Sequence, residues 1–528
     1  MNQTMNPNSS HDVIIVGAGP VGLMLACELR LQGVAPVIVE RLSKPTGLSK
    51  ALGLQGRGVD LLDARGQLER FGGEAKVVNG LPHFAGIPLD VGRLRGRPPK
   101  FLFIQQARTE ALLEQWAGEL GVEVRRGHEV VGLEQDDAGV TVHIRSDAGE
   151  RSLRARYLVG CDGGRSFVRQ RAGIDFPGAP PTLLARIGDV KLSVERDAAG
   201  QIVLPGGGRA PFRLAVPLGD GYCRVTTTEP YPEGFDRDAP MTLDELRASV
   251  RNSFGIDLAM REPRWLSRFT DASHQAATYR KGRVFVAGDA AHVHLPAGGP
   301  GISTGINDAA NLGWKLGAEI QGWAPRGLLD TYHAERHPVG ARVLLHTRAQ
   351  GALMTKSVHV AALRELLGEM LQQEQALRFI TDLLQGADTR YDMGEADPHP
   401  LAGGWVPDTS IVTAAGARRL PELLRAARGV LVLFSKRDDL HEFAAGWSGR
   451  VDVVGGSPAL GDEGLDALLV RPDGHVAWAA SHPLGAESHA GSSRALVRWL
   501  RGAAPLIASP ARARAGPARG RDLRWPSA

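Results

Sequence analysis

Short apolar runs and helically spaced segments alternate through the first third of the chain. Val13-Ile14-Ile15-Val16 is a continuous apolar run of strand length, and the stretch Leu23 to Leu31 that follows carries helical spacing. A strand with apolar residues on both faces is one covered on both sides, as parallel strands are. Pro36-Val37-Ile38-Val39 predicts a second such strand, and the alternation continues to about residue 176. From about 177 to 280 the pattern becomes strand-rich, with Ile187-Gly188-Asp189-Val190-Lys191-Leu192 and Tyr222-Cys223-Arg224-Val225-Thr226-Thr227-Thr228 as representative runs. At Arg283-Val284-Phe285-Val286-Ala287 an apolar strand returns and leads, through a glycine-rich loop, into a helix around Asn311 to Leu316. A long helical pattern covers about 340 to 386, Pro398 to Pro407 is punctuated like a linker, and strands at Val430 to Phe434 and Ala467 to Arg471 mark a further α/β unit. There is no internal repeat.

Glycines stand where the first strand meets the first helix: Gly17-Ala18-Gly19-Pro20-Val21-Gly22. Gly17 permits a tight turn, Gly19 lets backbone approach a pyrophosphate, and Gly22 lets helix and strand pack closely. Pro20 suits a first helical turn, where a missing N–H costs nothing, and the open amides there attract phosphate. The second strand ends at Glu40, about 20 residues beyond the glycines, where a carboxylate meets ribose hydroxyls. Two later turns, Cys161-Asp162-Gly163 and Gly288-Asp289-Ala290-Ala291-His292, occur in the order that a split nucleotide-binding domain requires. Either aspartate alone reads as a turn or helix cap. With the glycine segment, the three predict bound flavin adenine dinucleotide, FAD.

The expected architecture is α/β (α+β). A Rossmann-like FAD-binding domain occupies 1–176 and 281–395, the second part with the long helix. An antiparallel substrate-binding sheet at 177–280 is inserted between them, and a C-terminal domain spans 396–502. The 528 residues suffice for about three domains, and 43% of them are apolar. Net charge is +4, but the end from Arg501 to Ala528 carries six arginines against one aspartate, leaving the body close to neutral. That Ala/Pro/Gly/Arg-rich tail, 503–528, reads as an unstructured end rather than a nucleic-acid contact. Cys27, Cys161 and Cys223 are odd in number and widely spaced, which argues against a disulfide framework or a metal cluster and for a reducing compartment. No apolar signal core or membrane-length stretch occurs, so a cytoplasmic protein is expected, monomer or homodimer, without nucleic-acid or membrane partners.

These residues resemble the class A FAD-dependent aromatic hydroxylases, especially those acting on polyketide antibiotics. The likeness runs through Gly17 to Gly22, Ser49-Lys50-Ala51-Leu52-Gly53, Gln106-Ala107-Arg108-Thr109-Glu110, Cys161 to Ser166, Gly282 to His292 and Tyr332-His333-Ala334-Glu335-Arg336-His337-Pro338. Val470 to Trp478 resembles the family's thioredoxin-like C-terminal domain, which here has no cysteine and so no dithiol chemistry. The resemblance implies non-covalent FAD held by Gly17, Ala18, Gly19, Pro20, Val21, Gly22, Glu40, Arg41, Lys50, Gln106, Val130, Asp162 and Asp289. It also implies contacts from the loop residues Gly299, Gly301, Ile302 and Ser303 to the pyrimidine edge of the flavin. Gln106 also reads as a surface helix start and Val130 as a core valine. Backbone carbonyls at Pro296, Ala297 and Gly298 would line the oxygen-reaction pocket, since that chemistry belongs to the cofactor. His292 reads as turn packing, and His294 is left open.

The chain departs from the family at three positions: Pro300 stands for a usual glutamine, Ser303 for an asparagine and Lys50 for an arginine. Pro300 offers no N–H, and Lys50 lacks the planar fork. No second strand-glycine-helix unit serves a nicotinamide. The triplet Gly206-Gly207-Gly208 lies between strands without a helix, which fits NADPH delivering hydride from a transient site. The resemblance implies an NADPH- and O2-consuming monooxygenase that hydroxylates a large aromatic polyketide through a C4a-hydroperoxyflavin, in antibiotic biosynthesis. Baeyer–Villiger insertion into a polyketide ketone remains open, as does a non-catalytic flavin-binding scaffold.

Overall fold

A computed structural model describes residues 10–72, 76–77, 83–96, 99–192, 195–196, 202–203, 214–236, 239–435, 438–458, 464–481 and 486–500. The Gly206–Gly208 triplet and the basic tail lie outside these residues. The first unit is β1 (Ser10–Val16), α1 (Pro20–Leu31) and β2 (Pro36–Glu40), followed by α2 (Arg57–Ala64) and α3 (Gln106–Glu119). Then come β3 (Glu123–Arg126), β4 (Glu129–Gln135), β5 (Val140–Ser146), β6 (Gly149–Gly160) and the short α4 (Phe167–Arg171). β1 pairs in parallel with both β2 and β6, and Val13, Ile14 and Ile15 have no exposed surface, as the unbroken apolar run requires. The chain runs from β1 outward to β2 on one side and from β6 outward to the opposite edge of the sheet on the other. The crevice beyond the carboxyl end of β1 is therefore a topological switch point, where open α/β sheets bind ligands.

The inserted sheet orders β8 (Ala215–Gly219), β9 (Tyr222–Pro230), β7 (Leu183–Leu192) and β10 (Met260–Thr270), all antiparallel. Helix α5 (Leu243–Phe254) covers one face, packing Leu246 and Val250 with Val190, Cys223 and Val225. By strand alternation Ile187, Asp189, Arg224, Thr226, Trp265 and Ser267 lie on the other face. That face turns to the nucleotide domain, because Arg224, gripped by both carboxylate oxygens of Asp189, also donates to the carbonyls of Ser49 and Lys50.

β11 (Val284–Val286) rejoins the first sheet beside β6, and β12 (His292–Val293) leads to α6 (Gly301–Ile320). The helical pattern at 340–386 is not one helix but parts of three: α7 (Asp330–Leu353), α8 (Val358–Met370) and α9 (Glu374–Gln385). The first break falls where the Ser357 hydroxyl accepts from His359 N and caps a new helix start, an option that competes with continuing the old one. α7 runs through Pro338. The last unit is a mixed four-stranded sheet ordered β14 (Val451–Gly455), β13 (Gly429–Leu433), β15 (Leu465–Val470) and β16 (Val476–Ser481), with α10 (Ala486–Leu500) packed on β16.

Candidate active site

The glycine turn after β1 is built from close approaches. Gly17 sits at φ +105°, and a Cβ there would lie 2.5 Å from the Cys161 carbonyl oxygen; one on Gly22 would lie 2.0 Å from the Gly17 carbonyl oxygen. A Cβ on Gly19, by contrast, would meet nothing within 4 Å. Gly17 and Gly22 are thus used up by the fold, while Gly19 presents bare backbone to open space. Pro20 opens α1 as its first residue, leaving first-turn amides free to face an anion.

Glu40, at the end of β2, accepts from Ala18 N at 2.8 Å and from Leu42 N at 2.9 Å, one bond to each oxygen. Each oxygen keeps a lone pair for a ribose hydroxyl. Asp289 lies on a single 3-10 turn after β11, is exposed, and makes no hydrogen bond or ion pair with the described residues. An unpaired carboxylate beside an open glycine turn, with a helix start on the same side of the sheet, fits the hydroxyl-rich ribityl and pyrophosphate stretch of FAD.

The remaining sequence-derived positions behave differently. Asp162 is engaged locally: it accepts from Ser166 Oγ at 2.5 Å and Val168 N at 3.0 Å, tying down the start of α4. Burial raises its carboxyl above the ordinary range. Gln106 accepts from Ala51 N and donates to Glu110, so it fixes the 49–53 segment against α3. Val130 is buried with Ile14, Val16, Val37 and Val39 beneath the sheet and pairs with Ile144. Arg41 and Lys50 are exposed. In the loop before α6, the Pro296 carbonyl already accepts from Gly299 N and the Ala297 carbonyl from Gln350. Gly299 is exposed and Ile302 partly buried, and Gly301 opens the helix. Ser303 turns inward, its hydroxyl accepting from Gln55 N at 2.9 Å.

Beneath that loop lies a group that sequence reading did not assign. Asp308 of α6 has no exposed surface and accepts from Gly288 N, His292 Nε2 and Arg336 Nε. Arg336, on α7, also donates to the Thr304 carbonyl and the Tyr391 hydroxyl. Burial opposes the Asp308 charge, but Arg336 and His292 outweigh it and hold the carboxyl below its usual value. This pin joins the Asp289 turn to α6, the two elements that would flank the cofactor. A carboxylate one turn before an apolar helical run, with an arginine in the 332–338 stretch, was the available signal.

Together these features define an FAD-binding monooxygenase architecture. Residues 10–347 match the family model described as FAD binding domain, and 399–503 match the one described as aromatic-ring hydroxylase, C-terminal. The chain belongs to this family of FAD-dependent aromatic-ring monooxygenases. It is 46% identical over 513 residues to 12-dehydrotetracycline 5-monooxygenase/anhydrotetracycline 6-monooxygenase of Streptomyces rimosus, covering 93% of this chain and 99% of that relative. The solved structure of OxyS anhydrotetracycline hydroxylase from Streptomyces rimosus superposes with a TM-score of 0.84 at 46% identity, over 93% of this chain and 99% of that one. The dialkyldecalin synthase of Streptomyces rugosporus is 39% identical over 482 residues, covering 89% and 96%. Among the described residues, no helix is long and apolar enough to cross a membrane, and no three His, Cys, Asp or Glu residues gather as a metal site.

Proposed function

We propose that this chain uses NADPH and O2 to hydroxylate a polycyclic aromatic polyketide of the anhydrotetracycline or angucycline type. The observation that carries the reading is the crevice at the end of β1, with the bare Gly19 backbone and the unpaired Asp289 carboxylate, in a chain aligned end to end with an anhydrotetracycline hydroxylase. Gly17 to Gly22 and the α1 amides would take the pyrophosphate, Glu40 the adenosine ribose and Asp289 the ribityl hydroxyls. The start of α6 would lie at the pyrimidine edge, where its dipole favours negative charge. FAD, when bound and reduced, supplies the activated oxygen.

The protein's part is to position, to exclude water and to move protons. The face carrying Ile187, Thr226, Trp265 and Ser267 supports the role of a wall for a flat substrate, offering apolar and hydroxyl groups side by side. Arg224 ties that wall to the segment 49–50, so that closing one positions the other. Domain limits at 176, 280 and 395 are part of the same proposal. The test is NADPH oxidation by the purified, FAD-loaded protein across tetracyclic and angucyclic substrates, with product mass and oxygen position. Substrate-independent NADPH oxidation without oxygenated product would overturn the hydroxylase reading, and an ester product would replace it with Baeyer–Villiger insertion.

A further inference from the structure

Three histidines gather around the segment that leads into α6, two of them buried, and their hydrogen bonds assign them different roles. His292 Nε2 meets the Asp308 carboxylate at 2.8 Å, and its Nδ1 is sealed from solvent without a partner. His346 on α7 meets Gln350 Nε2 through Nδ1. Because Gln350 Oε1 accepts from Ala85 N, its amide nitrogen is the donor, so His346 Nδ1 accepts and its proton sits on the sealed Nε2. His294 is the reverse case. Its Nδ1 lies 2.9 Å from the Leu295 carbonyl, which can only accept, so Nδ1 carries the proton and Nε2 the lone pair.

That lone pair is accessible. His294 is partly exposed, and its Nε2 has no partner among the described residues and is not sealed. It stands beside the first residue of α6: a Cβ on Gly301 would lie 3.7 Å from it. Its ring stacks near His292, with centroids 6.5 Å apart.

We propose that His294 Nε2 is the base that takes the phenolic proton of the bound substrate, a role that rests on the aromatic hydroxylase reading above. The substrate O–H bond breaks, an N–H bond forms on Nε2, and the electron pair left on oxygen enriches the ring carbon that receives the new oxygen. The transfer neither oxidises nor reduces, and the imidazolium returns its proton to solvent. The groups facing the ring are His292 and Asp289 from its own segment and His346 from α7. Burial lowers the His294 pKa and His292 lowers it further, against the Leu295 carbonyl and Asp289, so the ring is neutral and ready to accept at physiological pH. His346, pulled down to about 4 by burial with smaller contributions from His294 and Arg342, does not compete for that proton.

The test uses FAD-loaded enzyme without NADPH and alizarin, a dihydroxyanthraquinone whose phenolate absorbs beyond the flavin band. In the parent protein the bound dye should ionise about one pH unit below the free dye. His294→Gln, which can still donate to the Leu295 carbonyl, should remove that shift while FAD occupancy and dye affinity stay within about threefold, and should lower turnover by about 100-fold or more. Equal ionisation of the dye in parent and variant overturns the role of His294 alone. Failure of the parent to bind alizarin and other hydroxyanthraquinones overturns the polycyclic-substrate reading on which it rests.

Discussion

Charged side chains serve opposite purposes in the nucleotide crevice and in the seam between the FAD-binding part and the C-terminal unit. At the centre of the seam the charges are buried and paired. Glu28 of α1 and Arg65, just after α2, are fully buried, and Arg65 also donates to the carbonyls of Leu424 and Pro472. Glu335 accepts from Lys315, Asn311 and Arg471, while Arg471 also grips Asp473. In the crevice Asp289 is exposed and unpaired. A buried charge is tolerated only with partners, and a carboxylate left open at a strand end is available to a ligand. Partner saturation thus separates structural from ligand-directed charges better than residue type does.

The largest expected effect comes from breaking the seam. Arg471→Met leaves Glu335 and Asp473 buried without their main counter-charge, and removing one member of a buried pair costs about 3–5 kcal/mol. Thermal unfolding should show a large fall in Tm or loss of folded protein. A Tm within a degree or so of the parent would show that the seam charges are not what joins the two parts.

Next, Asp289→Ala should lose most of its FAD while the cofactor-free protein melts as the parent does. A hydrogen bond to a charged group is worth about 1.5–3 kcal/mol, or about 10- to 100-fold in FAD affinity. Full occupancy in the variant would remove Asp289 from the cofactor site.

Acid distinguishes the regions in another way. Burial opposes the Glu335 charge, but Arg471 and Lys315 more than offset it and pull the carboxyl down to about 2. The folded value lies below the unfolded one of 4.5, so this group contributes stability above that pH and loses it as pH falls from 4.5 toward 2. The Tm should drop over that window, and less steeply in Glu335→Gln if the variant folds. Parallel curves for the two proteins would assign acid sensitivity elsewhere.

How much of this was legible in sequence follows the range over which each feature is encoded. The β1–glycine–α1–β2 unit, with its glutamate, is local: alternation, turn and charge lie within about 30 residues and were read close to their observed bounds. The strands of the inserted sheet and the final unit were visible for the same reason. The Asp308–Arg336–Tyr391 pin and the Glu335–Lys315–Arg471–Asp473 group were not, because their partners come from different elements and pair only after folding. Their trace in sequence is slight. Glu28 and Lys315 are single charges inside apolar helical stretches, Leu23 to Leu29 and Leu312 to Leu316, where they look like interruptions. The helical pattern of 340–386 was misread as continuous because helix spacing persists across the Met354–Ser357 break. Asp162 and Ser303 carry a different lesson, since residue type and family position suggested the cofactor while their side chains bond to the protein.

Ser303 provides the smallest and sharpest test, because it stands in the first turn of α6 beside the crevice but bonds as seam residues do. Its hydroxyl accepts from Gln55 N, and a Cβ on Gly58 would lie 2.6 Å from that oxygen, so the side chain fills a tight space against the start of α2. Ser303→Ala keeps the volume and removes only the acceptor, at a cost of about 1 kcal/mol for one lost buried hydrogen bond. In a chain of this length that corresponds to a Tm change of about 2 °C or less. Flavin reduction by NADPH, followed by rapid-mixing absorbance, should stay within about twofold of the parent, because the hydroxyl is directed at the protein and not at the pyrimidine edge. A change of tenfold or more, about 1.4 kcal/mol, with Tm unmoved would mean that the hydroxyl reorients toward the cofactor on binding, and Ser303 would then belong with Asp289. Ser303→Asn separates the same alternatives from the other side: the larger side chain has no room against Gly58, so it should lower Tm through overpacking before it alters any flavin rate.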